Sequence, residues 1–546
     1  MRKSRLPLLA AICTLFFCAT HAFGGTCPTS TVYGFPNYSS TLGSLGVTNC
    51  YFIDMTSGSD SATGADESHP WRHVPEMANA SGNAAAHKVT AGDGYIFKGG
   101  SVCGTACFPI TAAASGTSSN PIYYGYDPSW GTGRPAFRPT GVISGANVIV
   151  SQGAGNTYRI WDNFDVSGLT DNGDNTFGHN LMFTMSGDHF TITRVYMHGW
   201  VVNGATNDDM VGIIGCNACS GGNQANSVVD SNYCNGADAN PPSTSDGNGS
   251  FECLRYIAGG TISNNVIRNV SNAYVGGSSG ATIYGNDWGN VYKSYDTANH
   301  ENIMEFQDAG NVVYNNLYHD SPNAAWPMPL SPRAGKTDWI FNNVCWNVSR
   351  ECVAIDTQSN LPTYNVNLIN NTWIPKAGYV CAETTNRNYS YTIGTVQVIN
   401  NHCITTNGTD ASSFCFNQSS PVCSQVTTLV KTTNVLMSTS AATAQGYTSS
   451  ELFVYSPTAS INSTVGAGTN ENSLASGKIA ALSSDTSYAC SVNGNNEVVC
   501  PARTAVSRGG SCTPTPGVPG CWDAGAHLFA SGSAVLPPNN LQAVVQ

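Results

Sequence analysis

One pattern recurs at five places along the chain: ISNNVI (262–267), VYNNLY (313–318), IFNNVC (340–345), LINNTW (368–373) and VINNHC (398–403). Each copy is a short strand-forming stretch followed by two asparagines, and a weaker copy, IYGNDW (283–288), lies between the first two. From Asn264 onward the successive copies are 22, 29, 27, 28 and 30 residues apart. A period near 28 residues indicates a repeat architecture.

The asparagine pairs favour one kind of repeat. In a parallel β-helix, short strands are joined by tight bends, and residues at equal positions stack on the coil below. Asparagine tolerates the left-handed backbone of a bend, and its amide can bond the asparagine one coil away. We therefore expect Asn315, Asn342, Asn370 and Asn400 to form one column with a spacing of about 5 Å. A β-sandwich would instead place hairpin turns every 8–12 residues or so.

Composition agrees with an exported all-β protein. The chain has 546 residues, 57 of them glycine, and only 10% are charged, so strands and turns are favoured over helices. Arg2, Lys3 and Arg5 precede an apolar stretch, which predicts a signal peptide over residues 1–22 and a secreted or cell-surface protein. No later apolar run has the length of a membrane span. A net charge of −12 with 22 basic residues excludes nucleic acid as a partner.

The cysteines form sequence-local couples, which predicts disulfides in an exported chain. Two of the 20 cysteines leave with the signal peptide, so 18 remain. The predicted couples are Cys27/Cys50, Cys103/Cys107, Cys234/Cys253, Cys345/Cys352, Cys381/Cys403, Cys415/Cys423, Cys490/Cys500 and Cys512/Cys521. For Cys216/Cys219, a C-x-x-C pair, a metal site remains the alternative.

Both ends of the chain resemble secreted pectate-lyase-like β-helix proteins. The opening resemblance lies in YFID (51–54), HPWR (69–72) and AGDGYIFKGG (91–100), and the closing one in CWDAGA (521–526). It implies a right-handed, single-stranded parallel β-helix over residues 51–530 with inserted loops, after an N-terminal disulfide-linked cap over 23–50 and before a tail over 531–546. The family contains lyases, hydrolases and noncatalytic proteins, so the fold alone does not assign a reaction.

Four carboxylates recur at one position relative to the asparagine pairs: Glu252, Glu305, Asp356 and Glu383. Strand alternation should direct them outward, and side chains two coils apart are roughly 10 Å apart. This leaves room for the water of an inverting glycosidase, whose carboxyl groups are about 6.5–9.5 Å apart. The same column could hold Ca²⁺, or it could be a solvated face without a function.

Other polar and aromatic residues lie near this column in the sequence. His300, Arg333 and Lys336 are candidates, with Glu305 and Asp356, for the catalytic set, because a lyase needs a base and a cation beside a uronate. Arg255, Trp326 and Tyr295 are candidates for substrate binding, together with Glu252 and Glu383.

Two hypotheses of function follow. The first is an extracellular enzyme, hydrolase or lyase, that degrades a polysaccharide laid along the solenoid. The second is a noncatalytic secreted β-helix that is structural or binds glycans. The acidic column with its neighbouring cations favours the enzyme, whereas no complete catalytic signature is present. The sequence leaves the oligomeric state open.

Overall fold

The computed structural model describes residues 24–29, 32–33, 40–143, 147–170, 172, 180–200, 209–215, 224–236, 250–276, 280–292, 302–307, 310–321, 328–330, 335–356, 365–385, 393–416, 423, 426–448, 455–474, 490–500, 508–510 and 512–529. Three parallel sheets of thirteen, twelve and eleven strands dominate this part of the chain. In each coil the chain passes through the first, second and third sheet in turn before it enters the next coil. The predicted fold class, an all-β parallel β-helix, is confirmed.

The first sheet contains the strands that precede the asparagine pairs. Its strands are Asn49–Ile53, Asp93–Gly99, Ile122–Gly131, Arg159–Asp162, Phe190–Thr193, Val228–Asp230, Thr261–Ser263, Thr282–Tyr284, Val312–Tyr314, Thr337–Phe341, Asn365–Ile369, Ile393–Ile399 and Val426–Thr432.

The second sheet follows the asparagine pairs. Its strands are Val102–Cys103, Ala136–Phe137, Asp165–Ser167, Tyr196–His198, Tyr233–Asn235, Val266–Arg268, Asp287–Gly289, Leu317–Ser321, Val344–Val348, Thr372–Trp373, His402–Thr405 and Val435–Ser438.

The third sheet closes each coil. Its strands are Ile110–Thr111, Val148–Gln152, Asn180–Met185, Asp209–Ile214, Ser250–Arg255, Asn272–Gly276, Asn302–Phe306, Pro329–Leu330, Val353–Asp356, Ala382–Thr385 and Phe414–Cys415.

Helices and hairpins are short in the described residues. The α-helices are Gly82–Ala86, Asp410–Ser413 and Thr439–Ala444, and two 3-10 turns are Gly43–Leu45 and Thr105–Cys107. Antiparallel pairs join Val32–Tyr33 to Ser40–Thr41 and Ser491–Val492 to Val498–Val499. None of the helices in the described part of the chain has the length and apolar character that crossing a bilayer requires.

An asparagine ladder is present, but the second asparagine of each pair forms it, and not the residues for which it was predicted, Asn315, Asn342, Asn370 and Asn400. The second asparagine forms the continuous column: Asn316 Nδ2 donates to Asn343 Oδ1 at 3.0 Å, and Asn343 Nδ2 donates to Asn371 Oδ1 at 3.1 Å. The first asparagine makes the bend, with a φ of 54° at Asn315 and 57° at Asn400. The buried amides therefore bond one another, as the ladder hypothesis requires.

The first asparagines also hold the C-terminal segment. Asn370 Nδ2 donates to the carbonyl of Asp523 at 2.8 Å, and the backbone N–H of Thr469 donates to Asn400 Oδ1 at 2.9 Å. Trp522 packs with Phe341, Ile369 and Ile399 in a cluster separate from the main core. Residues 521–526 therefore lie against the outside of the first sheet, where the side chain of Trp522 is buried.

Gly525 shows how closely this segment approaches the solenoid. Its φ is 87°, and a Cβ at this position would lie 2.8 Å from both the Cβ of His402 and the Oγ1 of Thr372. Only glycine combines this backbone conformation with that approach. The parallel sheets of the described residues end at Ser438. The predicted solenoid, which includes inserted loops, extends to residue 530.

Seven predicted cysteine couples are joined by disulfides in the described residues: Cys27–Cys50, Cys103–Cys107, Cys345–Cys352, Cys381–Cys403, Cys415–Cys423, Cys490–Cys500 and Cys512–Cys521. Cys234 and Cys253 differ from the prediction, since both are free thiols buried in the core. They lie on successive strands of one coil, where each thiol packs as a small apolar group. Cys216 and Cys219, like the predicted signal peptide, lie outside the described residues.

Candidate active site

The outward face of the third sheet carries the acidic column. Glu252 pairs with Val211 on the preceding coil, and Val211 packs with Val148 and Leu181 in an apolar cluster outside the main core. The residues that follow Glu252, Cys253 and Leu254, belong to the main core. Glu305 lies between two core residues, Met304 and Phe306, and strand alternation directs it outward. The prediction that Glu252 and Glu305 face outward from one sheet therefore agrees with the register.

Glu252 is held by a cation and an amide. Its carboxylate forms an ion pair with the guanidinium of Arg255 on the same strand, and Asn272 Nδ2 donates to Glu252 Oε1 at 3.2 Å. The guanidinium of Arg255 lies over the ring of Tyr256, 4.7 Å from its centroid, and also donates to the Tyr256 hydroxyl at 3.1 Å. Only 3% of Glu252 is exposed.

Glu305 is held by two side-chain amides. Asn302 Nδ2 donates to Glu305 Oε2 at 2.6 Å, and Gln307 Nε2 donates to Glu305 Oε1 at 2.9 Å. Glu305 keeps 8% of its surface exposed, so the two carboxyl groups lie deep on this face.

Strand register links the two acids. Glu252 pairs with Asn272, and Asn272 pairs with Asn302, which is three residues before Glu305. In a second column, Arg255 pairs with Val275, and Val275 pairs with Glu305. Glu252 and Glu305 are therefore two coils apart, roughly 10 Å across the strands, but they stand in different columns, three residues apart along the strand direction, and not in the single column predicted.

The protonation of Glu252 is shifted by its surroundings. Burial raises the pKa of Glu252 above its ordinary value, the ion pair with Arg255 opposes this rise, and the negative charge of Glu305 adds to it. A carboxyl group with a raised pKa beside a second carboxylate is the combination that general acid–base chemistry requires.

The remaining predicted residues occupy separate places. Glu383 is buried on the third sheet, where it pairs with Ala354. Asp356 follows Ala354 by two residues, two coils beyond Glu305, and its side chain lies outside the described part. Lys336 is exposed at the start of a first-sheet strand, and its side chain passes 3.4 Å from the position of a Cβ on Gly310. His300, Arg333, Trp326 and Tyr295 lie outside the described residues.

Sequence reasoning missed Asn272, Asn302 and Gln307, the amides that hold the two acids. The register of Glu252 could have indicated Asn272 and Asn302, since both occupy its column on the next two coils. Their spacing of 20 and 30 residues is too uneven for a repeat to be recognised without the structure.

The described residues bring together one group of three potential metal ligands, His73, Cys103 and Cys107. The two cysteines form a disulfide, so their sulfurs are not free to coordinate an ion. The acids of the third sheet do not form such a group within the described residues. The hypothesis of a Ca²⁺ site therefore stays a prediction.

A second polar cluster lies on the second sheet. Asp287 accepts hydrogen bonds from Arg268 at 2.9 Å and from His319 at 2.6 Å, and His319 Nδ1 lies 2.9 Å from Asp320. The charged partners hold the pKa of Asp287 at about 2 against the effect of burial. Burial lowers the pKa of His319, but the carboxylates of Asp287 and Asp320 outweigh this effect, so the pKa is raised. Two acids and two cations thus neutralise one another, as expected for a structural cluster.

No family model matches this chain, and no curated protein matches it. Similar solved structures include a PL6 family polysaccharide lyase from Pseudopedobacter saltans, with 11% identity, a TM-score of 0.38, and coverage of 65% of this chain and 90% of that one. A GH136 lacto-N-biosidase from Eubacterium ramulus has 10% identity, a TM-score of 0.40, and coverage of 70% and 67%. A rhamnogalacturonan lyase has 14% identity, a TM-score of 0.35, and coverage of 70% and 87%.

Proposed function

We propose that this protein is a secreted enzyme that cleaves a polysaccharide laid along the third sheet, with Glu252 and Glu305 as its catalytic carboxyl groups. The observation that carries this proposal is the buried pair itself: two acids two coils apart, in which burial raises the pKa of one. The seven disulfides support secretion, because such bonds persist in oxidising compartments.

Hydrolysis with inversion fits this pair best. Glu252, protonated, gives its proton to the oxygen of the leaving sugar as the bond from that oxygen to the anomeric carbon breaks. Glu305, ionised, takes a proton from a water whose oxygen attacks the same carbon from the opposite side. The strands that carry the two acids are roughly 10 Å apart, a spacing closer to the roughly 6.5–9.5 Å between the carboxyl groups of inverting enzymes than to the roughly 5 Å of retaining ones.

Lyase chemistry is the second candidate, and Arg255 is the residue that favours it. Its guanidinium stands in the Glu305 column and could neutralise the carboxylate of a uronate unit. Against this, Arg255 is already paired with Glu252, and a chain of net charge −12 repels acidic glycans. A neutral polysaccharide is therefore the preferred substrate class.

The other sequence candidates extend this proposal along the groove. Asp356, His300, Arg333 and Lys336 are proposed to complete the catalytic face, with Trp326, Tyr295 and Glu383 proposed as contacts to neighbouring sugar units. A bound Ca²⁺ is proposed only for an acidic substrate, where it would bridge carboxylates.

A panel of neutral and acidic polysaccharides tests the function. Products are measured as new reducing ends and as the ultraviolet absorbance of unsaturated uronates, with and without a chelator. Reducing ends without absorbance support hydrolysis, and absorbance supports the lyase. If no polysaccharide is cleaved, the noncatalytic glycan-binding or structural function is favoured.

A further inference from the structure

A cavity of about 360 Å³ lies on the outer side of the second sheet, near its last strands. The helix Thr439–Ala444 and the residues after it pack against this sheet through Ile404, Met437, Ala442 and Tyr447. The cavity has the size of a small-molecule site, for which volumes of about 300–1,000 Å³ are usual.

The lining combines aromatic rings with neutral polar groups. It consists of Trp346, Tyr447, Tyr455 and Ile374 together with Asn347, Thr443 and Thr448. No charged side chain belongs to the described lining, so neither a phosphate nor a carboxylate would find a partner in it. A sugar ring suits this surface, because its C–H faces pack on aromatic rings and its hydroxyls bond amide and hydroxyl side chains.

Among the described residues, one lining residue, Trp346, has a buried polar atom without a hydrogen-bond partner, its Nε1. His402 lies behind two of the lining rings, and its Nε2 is also buried without a partner. His402 is 1% exposed, and its ring lies 5.0 Å from that of Tyr447 and 6.5 Å from that of Tyr455. Buried polar atoms are nearly always paired, and each unpaired one costs about 1–3 kcal/mol. Because neither atom is open to the cavity, the case for a polar occupant rests on the amide and hydroxyl groups of the lining.

The charge state of His402 agrees with a neutral occupant. Burial, together with the smaller effect of the nearby His527, lowers the pKa of His402 to about 3. The imidazole is therefore uncharged at neutral pH and can both donate and accept a hydrogen bond.

We propose that this cavity is a noncatalytic binding site for one neutral sugar unit of a glycan chain. Trp346, Tyr447 and Tyr455 supply the packing surface, and Asn347, Thr443 and Thr448 supply hydrogen-bonding groups for the sugar hydroxyls. The site lies on the second sheet, whereas Glu252 and Glu305 lie on the third, so it would hold a glycan at a second face of the solenoid. The proposal does not depend on catalysis.

Isothermal titration calorimetry with gluco-, manno-, galacto- and xylotetraose tests it. We expect saturable binding of at least one tetraose, and Trp346→Ala should weaken that binding at least tenfold. Tyr379→Ala is the matched control, because Tyr379 is an exposed aromatic residue, 38% accessible, that does not line the cavity. Trp346→Ala should cause the same loss in a protein that also carries Glu305→Gln, which separates this site from the proposed catalytic one.

A second variant distinguishes loss of the binding site from misfolding of the protein. Thr443→Arg fills the cavity from its exposed rim without removing any lining ring, and it should abolish binding while leaving the thermal midpoint within about 2 °C of the original. Absence of saturable binding for all four tetraoses would overturn the proposal. Binding that survives both Trp346→Ala and Thr443→Arg would also overturn it.

Discussion

Glu252 and Glu305 are joined by hydrogen bonds that run through Asn272 and Asn302. Asn272 donates to Glu252, its amide oxygen accepts the backbone N–H of Asn302 at 2.7 Å, and the Asn302 side chain donates to Glu305. The two carboxyl groups are thus fixed relative to one another by side chains that occupy rigid strands. A fixed pair of acids is what a glycosidase needs on both sides of the scissile bond.

The pH dependence of activity should respond to Arg255. The ion pair with Arg255 lowers the pKa of Glu252, so Arg255→Gln should raise it. If Glu252 acts as the proton donor, activity is lost on the alkaline side as Glu252 ionises, and the variant should move this limb of the kcat/KM profile to higher pH. Lys376→Gln, which removes an exposed cation, should leave the limb in place. A shift to lower pH would contradict the assignment.

The asparagine ladder should contribute strongly to stability. Asn343→Ala removes the amide that donates to Asn371 and to the carbonyl of Val313, and it removes the oxygen that accepts from the backbone and side chain of Asn316. We expect the free energy of unfolding to fall by about 3 kcal/mol, measured by chemical denaturation. Asn472→Ala, at an exposed position outside the parallel sheets, should change it by less than about 0.5 kcal/mol. Equal effects of the two changes would argue against the ladder.

The cluster on the second sheet should make stability depend on pH. The pKa of His319 is raised in the folded protein, so its ion pair stabilises fully below the unfolded value near 6.5 and is lost as pH rises through the folded value. At the acid end, the contribution of Asp287 is lost as pH falls from about 4 towards its pKa of about 2. His319→Gln should therefore cost about 2 kcal/mol at pH 5.5 and less at pH 9.

Denaturation at both pH values measures this difference. His69→Gln is the control, because His69 pairs with Asp66 on the surface and its side chain is 62% exposed. A loss for His319→Gln that does not change between pH 5.5 and 9 would contradict the ionic contribution.

The thiols of Cys234 and Cys253 should be unreactive in the folded protein. Both are buried, and burial raises the pKa of the Cys253 thiol well above its ordinary value, so the reactive thiolate is scarce. We expect no reaction with a thiol reagent until denaturant is added, after which alkylation and peptide mapping should label both residues. Rapid labelling of the folded protein would show that this coil is open.

The repeat made the fold predictable, because in each copy the residue after the first-sheet strand adopts the same left-handed bend, which asparagine tolerates. The two asparagines of each pair look alike in sequence, however, and only the backbone shows that the first makes the bend while the second forms the ladder. Likewise, CWDAGA (521–526) is recognisable as a motif, but its position outside the first sheet depends on burial of Trp522 against distant strands.

The site was predictable only in part. Outward alternation indicated Glu252 and Glu305. Asp356 was expected in the column of Glu305, but Pro329 and Ala354 continue that column on the next two coils. Asp356 lies two residues farther along its strand than Ala354. Loops of unequal length between coils hide such offsets, since a count of residues does not reveal how many of them belong to strands. The amides of Asn272 and Asn302 escaped notice for the same reason.

Product analysis of Glu305→Gln and Glu252→Gln tests the central claim most directly. On a polysaccharide that the unmodified protein cleaves, we predict that each variant loses at least a thousandfold in kcat while its thermal midpoint moves by only a few degrees. Tyr379→Phe, near the third-sheet strand that lies three coils beyond Glu305, should retain full activity. Activity that survives both Glu305→Gln and Glu252→Gln would contradict the account and place the catalytic site elsewhere.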